Sequence, residues 1–473
     1  MKSSYVKAIV PIVLGLILLV LPAPAGLKPE AWRFFALFAA VVVGLILEPL
    51  PAAAVGFIGV TIAAAFGMVD PSSTNSINWA LAGFANSTVW LIFAAFMFAL
   101  GYQKTGLGKR LGLILVKLLG KSTLGLGYAV AFADLILAPF MPSNTARSGG
   151  TLFPILRNIP ALYGSEPGPT SRKIGSFIMW VALAATCVTS SMFITALAPN
   201  LLAIDAVTKG VKYTITWPEW AIGFLPAGII LMLVLPLLVY VLHPPEIKKS
   251  TEVPAWAAGE LSKMGAITRN ELIMAGLAVL ALVMWIFIDS KIINATTVAL
   301  IVIGMMLILN VVHWDDVLSN KAAWNVLVWF ATLVTLADGL SKVGFTAWIG
   351  TTAAGLFAGA NPVVVMVLLV VIFFVTHYIF ASVTAHVTAM LPVFLAAGAA
   401  VPGMNVPVLA LMLCYSLGIM GIITPYATGP SPVYYGSGFV SKKDFWLLGL
   451  IFGAIFLVVF LVVETPYLLM LHP

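Results

Sequence analysis

The chain has 473 residues, of which 62% are hydrophobic and 9% are charged. This composition excludes a soluble globular protein and is typical of a polytopic membrane protein. The net charge of +7 comes with 24 Lys and Arg residues that lie in short loops and form no basic face, which excludes nucleic acid as a partner.

Eleven apolar segments are candidates for membrane-spanning helices, because each approaches the roughly 20 apolar residues that a span requires. We place these segments at residues 6–23, 32–48, 52–69, 86–104, 173–196, 221–242, 270–289, 293–312, 323–340, 405–424 and 445–470. The first segment, with Lys2 and Lys7 before it and Ala-Pro-Ala at residues 23–25 after it, also resembles a cleavable signal peptide. We favour a first spanning helix.

Two further apolar stretches, 123–158 and 362–400, contain polar interruptions and predict re-entrant hairpins that enter and leave the membrane on one side. An amphipathic stretch precedes each hairpin, at 106–121 and 341–359, and predicts a helix at the membrane interface. The predicted fold class is therefore an all-α polytopic membrane protein with about 11 transmembrane helices and two re-entrant helical hairpins.

The distribution of basic residues supports this topology with the N-terminus inside. Seventeen Lys and Arg residues fall on the predicted cytoplasmic side and six on the outside, and Arg147 completes the 24 in the chain. This asymmetry satisfies the positive-inside rule. The longest polar stretch, 244–269, is predicted to be a cytoplasmic loop.

The hairpins are interrupted at matching places. The first break is Met-Pro-Ser-Asn-Thr-Ala-Arg at residues 141–147, and the second break is Ala-Ser-Val-Thr-Ala-His at residues 381–386. Ser143 and Ser382 are 239 residues apart, about half the chain. Five spans and one hairpin in each half give an odd number of crossings, so the second half is predicted to be an inverted repeat of the first.

The chemistry of the breaks suits an anion with two carboxylates. A half-helix is predicted to begin at Thr145 and at Thr384, and its free N–H groups and positive dipole end favour negative charge. Hydroxyl and amide groups add hydrogen-bond donors for the carboxylate oxygens. For a single break, the alternative that Ser and Thr only satisfy the backbone of a kinked helix would be preferred, but paired breaks favour a binding site. The predicted substrate-binding residues are Ser143, Asn144, Thr145, Ser382, Val383, Thr384, Thr428 and Pro430.

Thr428 and Pro430 belong to one of two further segments that interrupt spanning helices. Residues 189–200 interrupt the fifth span, and residues 424–432, with three prolines and a glycine, end the tenth. Their loosened backbone carbonyls could hold a cation or could only shape the wall of the cavity.

Two basic residues follow the breaks at equivalent positions. Arg147 and His386 each lie two residues after the threonine of a break, and an ionisable residue at membrane depth is a functional candidate by default. The alternative is that each only pairs with a backbone carbonyl. Asp134 and His377 lie about two turns and one turn before the breaks. They could support the site residues as partners, but the interpretation as locally satisfied polar groups is preferred. No nucleophile–base pair, metal-ligand cluster or phosphate-binding loop occurs, so we expect neither an enzyme nor a bound metal or cofactor.

These residues resemble the divalent anion/sodium symporter family, whose members carry Ser-Asn-Thr signatures at two hairpin tips. The resemblance covers residues 28–470 and is closest to the branch of bacterial 2-oxoglutarate/malate, citrate/succinate and tartrate/succinate exchangers, for which the run from Thr424 to Gly438 is typical. Ser143, Asn144 and Thr145 match the first signature. Ser382 and Thr384 match the second, in which Val383 stands where the symporters have Asn.

The resemblance implies a homodimer in a bacterial plasma membrane, with a fixed scaffold and a transport domain that moves as an elevator. The scaffold would comprise residues 1–120 and 270–360, and the transport domain residues 121–243 and 361–473. In the family, sodium sites lie between each signature and the neighbouring unwound span. Here Arg147 and His386 are expected to compensate charge in place of sodium.

The predicted function is sodium-independent exchange of di- and tricarboxylates, with a sodium-coupled symporter and an anion channel as alternatives. An empty site would contain the permanent charge of Arg147 and the titratable His386. An unpaired cation in a desolvated site is unfavourable, and a dianion compensates it. The loaded carrier is therefore expected to cross the membrane and the empty carrier to stall.

Overall fold

The computed structural model describes residues 2–289 and 291–473, with side chains from residue 7 onward, and it is helical along almost its whole length. The helices of the first half are α1 (Lys2–Val20), α2 (Pro29–Leu47), α3 (Ala52–Ala65), α4 (Ser73–Leu81), α5 (Ser87–Thr105), α6 (Leu107–Leu119), α7 (Thr123–Leu137), α8 (Phe153–Leu156), α9 (Gly175–Met192), α10 (Ala198–Val211), α11 (Trp217–Gly223) and α12 (Leu225–Leu242). Those of the second half are α13 (Glu252–Met264), α14 (Arg269–Phe287), α15 (Ala295–Ile308), α16 (Trp314–Ser319), α17 (Lys321–Lys342), α18 (Phe345–Leu356), α19 (Pro362–Thr376), α20 (Val383–Ala399), α21 (Val406–Ile419), α22 (Ser431–Gly436) and α23 (Lys442–Leu471).

The predicted spans correspond to observed helices. Each of the eleven apolar segments coincides with one helix, namely α1, α2, α3, α5, α9, α12, α14, α15, α17, α21 and α23. In the described part of the chain, nine helices are long and apolar enough to cross a membrane, and five shorter ones are apolar. The all-helical membrane fold is confirmed. The number of crossings and the re-entrant course of the hairpins stay predictions.

The order of elements repeats along the chain. In the first half, α5 and the amphipathic α6 precede the interrupted pair α7/α8 and then the interrupted pair α9/α10. In the second half, α17 and α18 precede α19/α20 and then α21/α22. The interruptions match because both halves place small polar residues at the same point of an apolar run. The inversion of the second half stays a prediction.

The core of the molecule lies at α9 and α21, which pack against each other. All 18 residues of α9 are buried. A Cβ atom at Gly418 of α21 would collide with Ser191 of α9, so the glycine permits this close approach. A helix that is buried on all faces belongs to the interior of a bundle. The α-helical structure is interrupted directly after α9 and directly after α21, so these two interruptions also lie in the interior.

The polar segment between α12 and α14 has more secondary structure than the sequence predicted. Residues 244–269, predicted to be a loop, contain the thirteen-residue helix α13. Its buried Val253 and Ala257 face α6, against which α13 packs. These two apolar positions are few within a polar stretch, so the sequence pattern does not reveal the helix.

Candidate functional site

The first break forms as the residue types predict. Helix α7 passes into a 3-10 turn, Ala138–Phe140, and a π-helix begins at Thr145 and continues to Leu152. Pro142 lacks a backbone N–H and cannot continue the first helix. The Ser143 hydroxyl accepts a hydrogen bond from the Ala146 N–H at 3.2 Å, and so satisfies part of the new helix N-terminus.

The second break has the same construction. Helix α19 ends in a 3-10 turn, His377–Ile379, and α20 begins at Val383, one residue earlier than predicted. Ser382 caps α20 by accepting from the Ala385 N–H at 3.5 Å. The side chain of Thr384 is 6% exposed, and its hydroxyl makes no hydrogen bond within the described residues. This hydroxyl is therefore available to a ligand.

A short stretch of the unwound segment after α21 contacts both hairpins. We call residues 427–429 the bridge. Asn144 Nδ2 donates to the Thr428 hydroxyl at 2.8 Å, and a Cβ atom at Gly429 would collide with the Thr145 hydroxyl, so the first break packs closely on the bridge. From the second hairpin, His377 Nε2 bonds to the Ala427 carbonyl at 2.9 Å. The structure thus brings the first break and Thr428 together.

The remaining predicted site residues take no part in these hydrogen bonds among the described residues. In the part of the chain that is described, no hydrogen bond joins the side chains of Ser382 or Thr384 to the first break. Val383 is buried at the start of α20, and Pro430 is buried directly before α22. A cavity of about 520 Å³ reaches Val387 and Thr388, one turn beyond Thr384.

Arg147 is not the uncompensated cation that the sequence predicted. Its guanidinium is fully buried, and Nε lies 3.1 Å from Asp134 Oδ2. The interpretation of Asp134 as a locally satisfied group is therefore wrong as well. Because α7 runs back against the half-helix that follows the break, two residues 13 positions apart become an ion pair. The charge of the arginine is balanced inside the hairpin.

The other donors of Arg147 all point to oxygen atoms, either backbone carbonyls or side-chain hydroxyls. Nη1 donates to the carbonyls of Met141 and Ala196 at 2.7 and 2.8 Å, which belong to the first break and to the interruption after α9. Nη2 donates to the hydroxyls of three α9 residues, namely Thr186, Thr189 and Ser190. We call these oxygens, together with Asp134 Oδ2, the oxygen cage. The cation that the oxygen cage surrounds is the guanidinium of Arg147.

His386 is likewise enclosed within its own hairpin. Its ring lies between those of Phe373 and Phe380, with centroid distances of 4.4 and 4.8 Å, and its Nδ1 lies 3.1 Å from His377 Nδ1. His377 is thus not a locally satisfied group, contrary to the prediction, because it links His386 to the bridge. Neither basic residue extends freely towards a ligand. Whether they compensate charge in place of sodium stays a prediction.

Sequence inspection undervalued Asp134 and His377, although one signal was present. Both are ionisable residues inside apolar runs, which is itself a reason to expect a specific partner.

Residues 2–289 and 291–473 contain no group of three or more His, Cys, Asp and Glu side chains that could hold a metal ion.

The whole chain is similar to known membrane transporters. Residues 2–472 match the family model described as the sodium:sulfate symporter transmembrane region. The L-tartrate/succinate antiporter of Escherichia coli (strain K12) is 48% identical over 474 residues, which cover 98% of this chain and 97% of that protein. The L-tartrate/succinate antiporter of Shigella flexneri has the same identity and coverage.

Solved structures share the fold at low sequence identity. The YdaH transporter of Alcanivorax borkumensis has a TM-score of 0.55 and 15% identity, over 99% of this chain and 97% of that chain. MtrF of Neisseria gonorrhoeae has a TM-score of 0.55 and 13% identity, over 97% and 96%. With its apolar helices, this chain is a multi-pass protein of the bacterial inner membrane. It belongs to the sodium:sulfate symporter family, the divalent anion:sodium symporters.

Proposed function

We propose that this protein exchanges di- and tricarboxylates of the 2-oxoglutarate, succinate, malate and citrate class across the membrane without sodium. The observation that carries the proposal is the pair of helix starts at the breaks. Asn144 joins the first break to the bridge, and His377, in the turn before the second break, bonds to the bridge as well. Two helix N-termini with free N–H groups suit two carboxylates. The similarity to L-tartrate/succinate antiporters at 48% identity supports the same class of substrate.

Each break serves one carboxylate in this proposal. Ser143, Asn144 and Thr145 bind one end of the substrate, and Ser382, Thr384 and the backbone at Val383 bind the other. Thr428 and Pro430 form the wall between them. Hydrogen bonds to a carboxylate are stronger than those between neutral groups, so few donors suffice at each end.

Sodium independence is supported by the oxygen cage. An unpaired arginine, which the sequence suggested, is not present, because Arg147 forms an ion pair with Asp134. Backbone carbonyls and hydroxyls are the ligands that a hard cation such as sodium would use, and those near the first break already surround the Arg147 guanidinium. A covalently attached cation cannot leave with the substrate. Each crossing of the membrane then carries only the carboxylate substrate and no sodium ion.

Obligate exchange follows from the solvation of the empty site. Without a substrate, the donors at both breaks would cross the membrane interior unpaired, and burying a polar group without a partner is costly. A bound dicarboxylate supplies those partners. The loaded form is therefore the one that crosses.

The test uses purified protein in liposomes. Liposomes loaded with unlabelled succinate are expected to accumulate labelled succinate or L-tartrate at the same rate with sodium or with choline outside, whereas liposomes without internal carboxylate are expected to take up almost none. Vigorous sodium-dependent uptake into empty liposomes would favour the symporter. Equilibration without transient accumulation of label would favour a channel.

We further propose that residues 121–243 and 361–473 move as an elevator against a scaffold of residues 1–120 and 270–360 within a homodimer. Two cavities, of about 520 and 590 Å³, lie on either side of α10, between it and helices of the proposed scaffold. In contrast, α10 packs along α20 of the same proposed moving unit.

A cysteine at Ser143 should become accessible from each side in turn as the substrate gradient is reversed. Accessibility from one side under every gradient would contradict an elevator.

The close contact between the first break and the bridge gives a further prediction. Gly429→Ala is expected to abolish most exchange, because the new methyl group collides with Thr145 and overpacking costs about 1–3 kcal/mol. Gly436→Ala is the matched control, since no atom lies within 4 Å of the methyl group it adds. Exchange rates and membrane levels of both variants are compared. Equal, near-normal rates would show that Thr145 does not need this position.

A further inference from the structure

The second hairpin contains a buried imidazole pair, His377 and His386, that the proposed function does not use to bind substrate. Both side chains have 0% exposure. Their ring centroids lie 5.0 Å apart, and the two ring planes make an angle of 17°. His377 lies in the turn that precedes the second break, and His386 lies in the first turn of α20. The pair therefore spans the break from one side to the other.

The partners of the two rings define the direction of their hydrogen bonds. The Ala427 carbonyl can only accept, so His377 Nε2 carries a hydrogen and donates to it at 2.9 Å. In a neutral ring Nδ1 then accepts, and His386 donates to it from its own Nδ1 at 3.1 Å. His386 Nε2 faces the Thr376 hydroxyl at 3.4 Å. The result is a directed chain from α20 through His377 to the bridge.

No charged partner competes with this chain. Within the described residues, neither ring forms an ion pair with a carboxylate, and the ring of His386 is enclosed by Phe373 and Phe380. The stretch that His377 contacts is the one that binds the first break. Ala427 is followed by Thr428, which accepts from Asn144, and by Gly429, which packs against Thr145.

We infer that His377 is a positioning residue for the carboxylate site of the first break, although it lies on the second hairpin. Through the Ala427 carbonyl it holds the bridge, and through Thr428 the bridge holds Asn144. The two half-sites are then coupled, so a substrate with a carboxylate at each end stabilises an arrangement that a monocarboxylate does not. The identity of the substrate in this inference rests on the proposed function, whereas the coupling between His377 and Asn144 through the bridge does not.

The first test compares two replacements of His377. Glutamine can donate to the Ala427 carbonyl and accept from His386, whereas leucine can do neither. His377→Leu is expected to raise the apparent KM for succinate in counterflow about five- to tenfold, because the bridge loses its one neutral hydrogen bond to His377. The maximal rate should change little, and His377→Gln should retain a near-normal KM. An unchanged KM in His377→Leu, or an equal rise in both variants, would overturn the inference. If His377→Leu does not accumulate in the membrane, His377→Asn, whose amide is shorter, takes its place in the comparison.

The second test requires no transport activity. The melting temperatures of His377→Leu, Thr428→Val and the double variant are measured in detergent. Because both residues act on the bridge, their effects should be smaller in combination than in sum. A control cycle uses Thr351→Val, whose exposed hydroxyl bonds within α18 to the Trp348 carbonyl, and should be additive. Additivity in both cycles would overturn the coupling. Failure of counterflow in the unsubstituted protein, with coupling retained, would instead refute the proposed function.

Discussion

Arg147→Met and Asp134→Leu should each destabilise the protein severely, whereas the double variant should regain much of the loss. Each single change leaves one charge buried without its partner, which costs about 3–5 kcal/mol. The pair is completely enclosed, with side-chain exposures of 0% and 1%. Replacing both partners by apolar side chains of similar size removes both charges, and such exchanges are often neutral or stabilising. The measurement is the melting temperature of the purified protein, together with its level in the membrane.

The matched control is an ion pair on the surface. Lys263 lies 2.6 Å from Glu260 in α13, but its side chain is 75% exposed. Lys263→Met should therefore change stability by no more than about 1 kcal/mol. Single variants of Arg147 and Asp134 that melt like the surface control would show that this pair is not buried as described.

The folded double variant also tests the proposed replacement of sodium. Its oxygen cage would lack the guanidinium, while the carbonyls of Met141 and Ala196 and the hydroxyls of α9 would remain. If Arg147 takes the place of sodium, exchange by this variant should become slower and should respond to added sodium. Unchanged exchange that ignores sodium would exclude the arginine from this role.

Thr384→Val and Asn144→Ala are expected to weaken substrate binding strongly with little effect on folding. A hydrogen bond to a carboxylate contributes about 1.5–3 kcal/mol, so each change should raise the apparent KM for dicarboxylates about 10- to 100-fold. The Thr384 hydroxyl makes no hydrogen bond in the described residues, so replacing it by an isosteric methyl group breaks no hydrogen bond among them. Asn144→Ala removes one hydrogen bond, to Thr428.

Exchange kinetics for a panel of C4–C6 di- and tricarboxylates provide the measurement. Thr61→Val serves as the control, because its exposed hydroxyl bonds only within α3, to the Phe57 carbonyl. Unchanged affinity for every acid in the panel in both site variants would place the binding site elsewhere. A loss confined to one class of acid would identify which end of the substrate each break binds.

The sequence by itself determined the class of the fold and the position of its main helices. Long apolar runs can exist in a membrane only as helices whose backbone is satisfied internally, so composition and length were sufficient for α1, α9 or α23. Small polar residues inside such runs likewise marked both breaks, with Pro142 in the first, because they act on the local backbone. These properties depend on residues that are neighbours in the chain.

The partners inside the site were decided only by the tertiary structure. Arg147 pairs with Asp134 across the first break and takes the carbonyl of Ala196, 49 residues away, while His377 bonds to the carbonyl of Ala427, 50 residues away. A buried polar side chain must find a partner, but many groups along an apolar run meet that requirement equally well. Which of them it meets depends on how α7, α9 and the unwound segments pack. Patterns among neighbouring residues in the sequence therefore do not predict which residues about 50 positions apart come into contact.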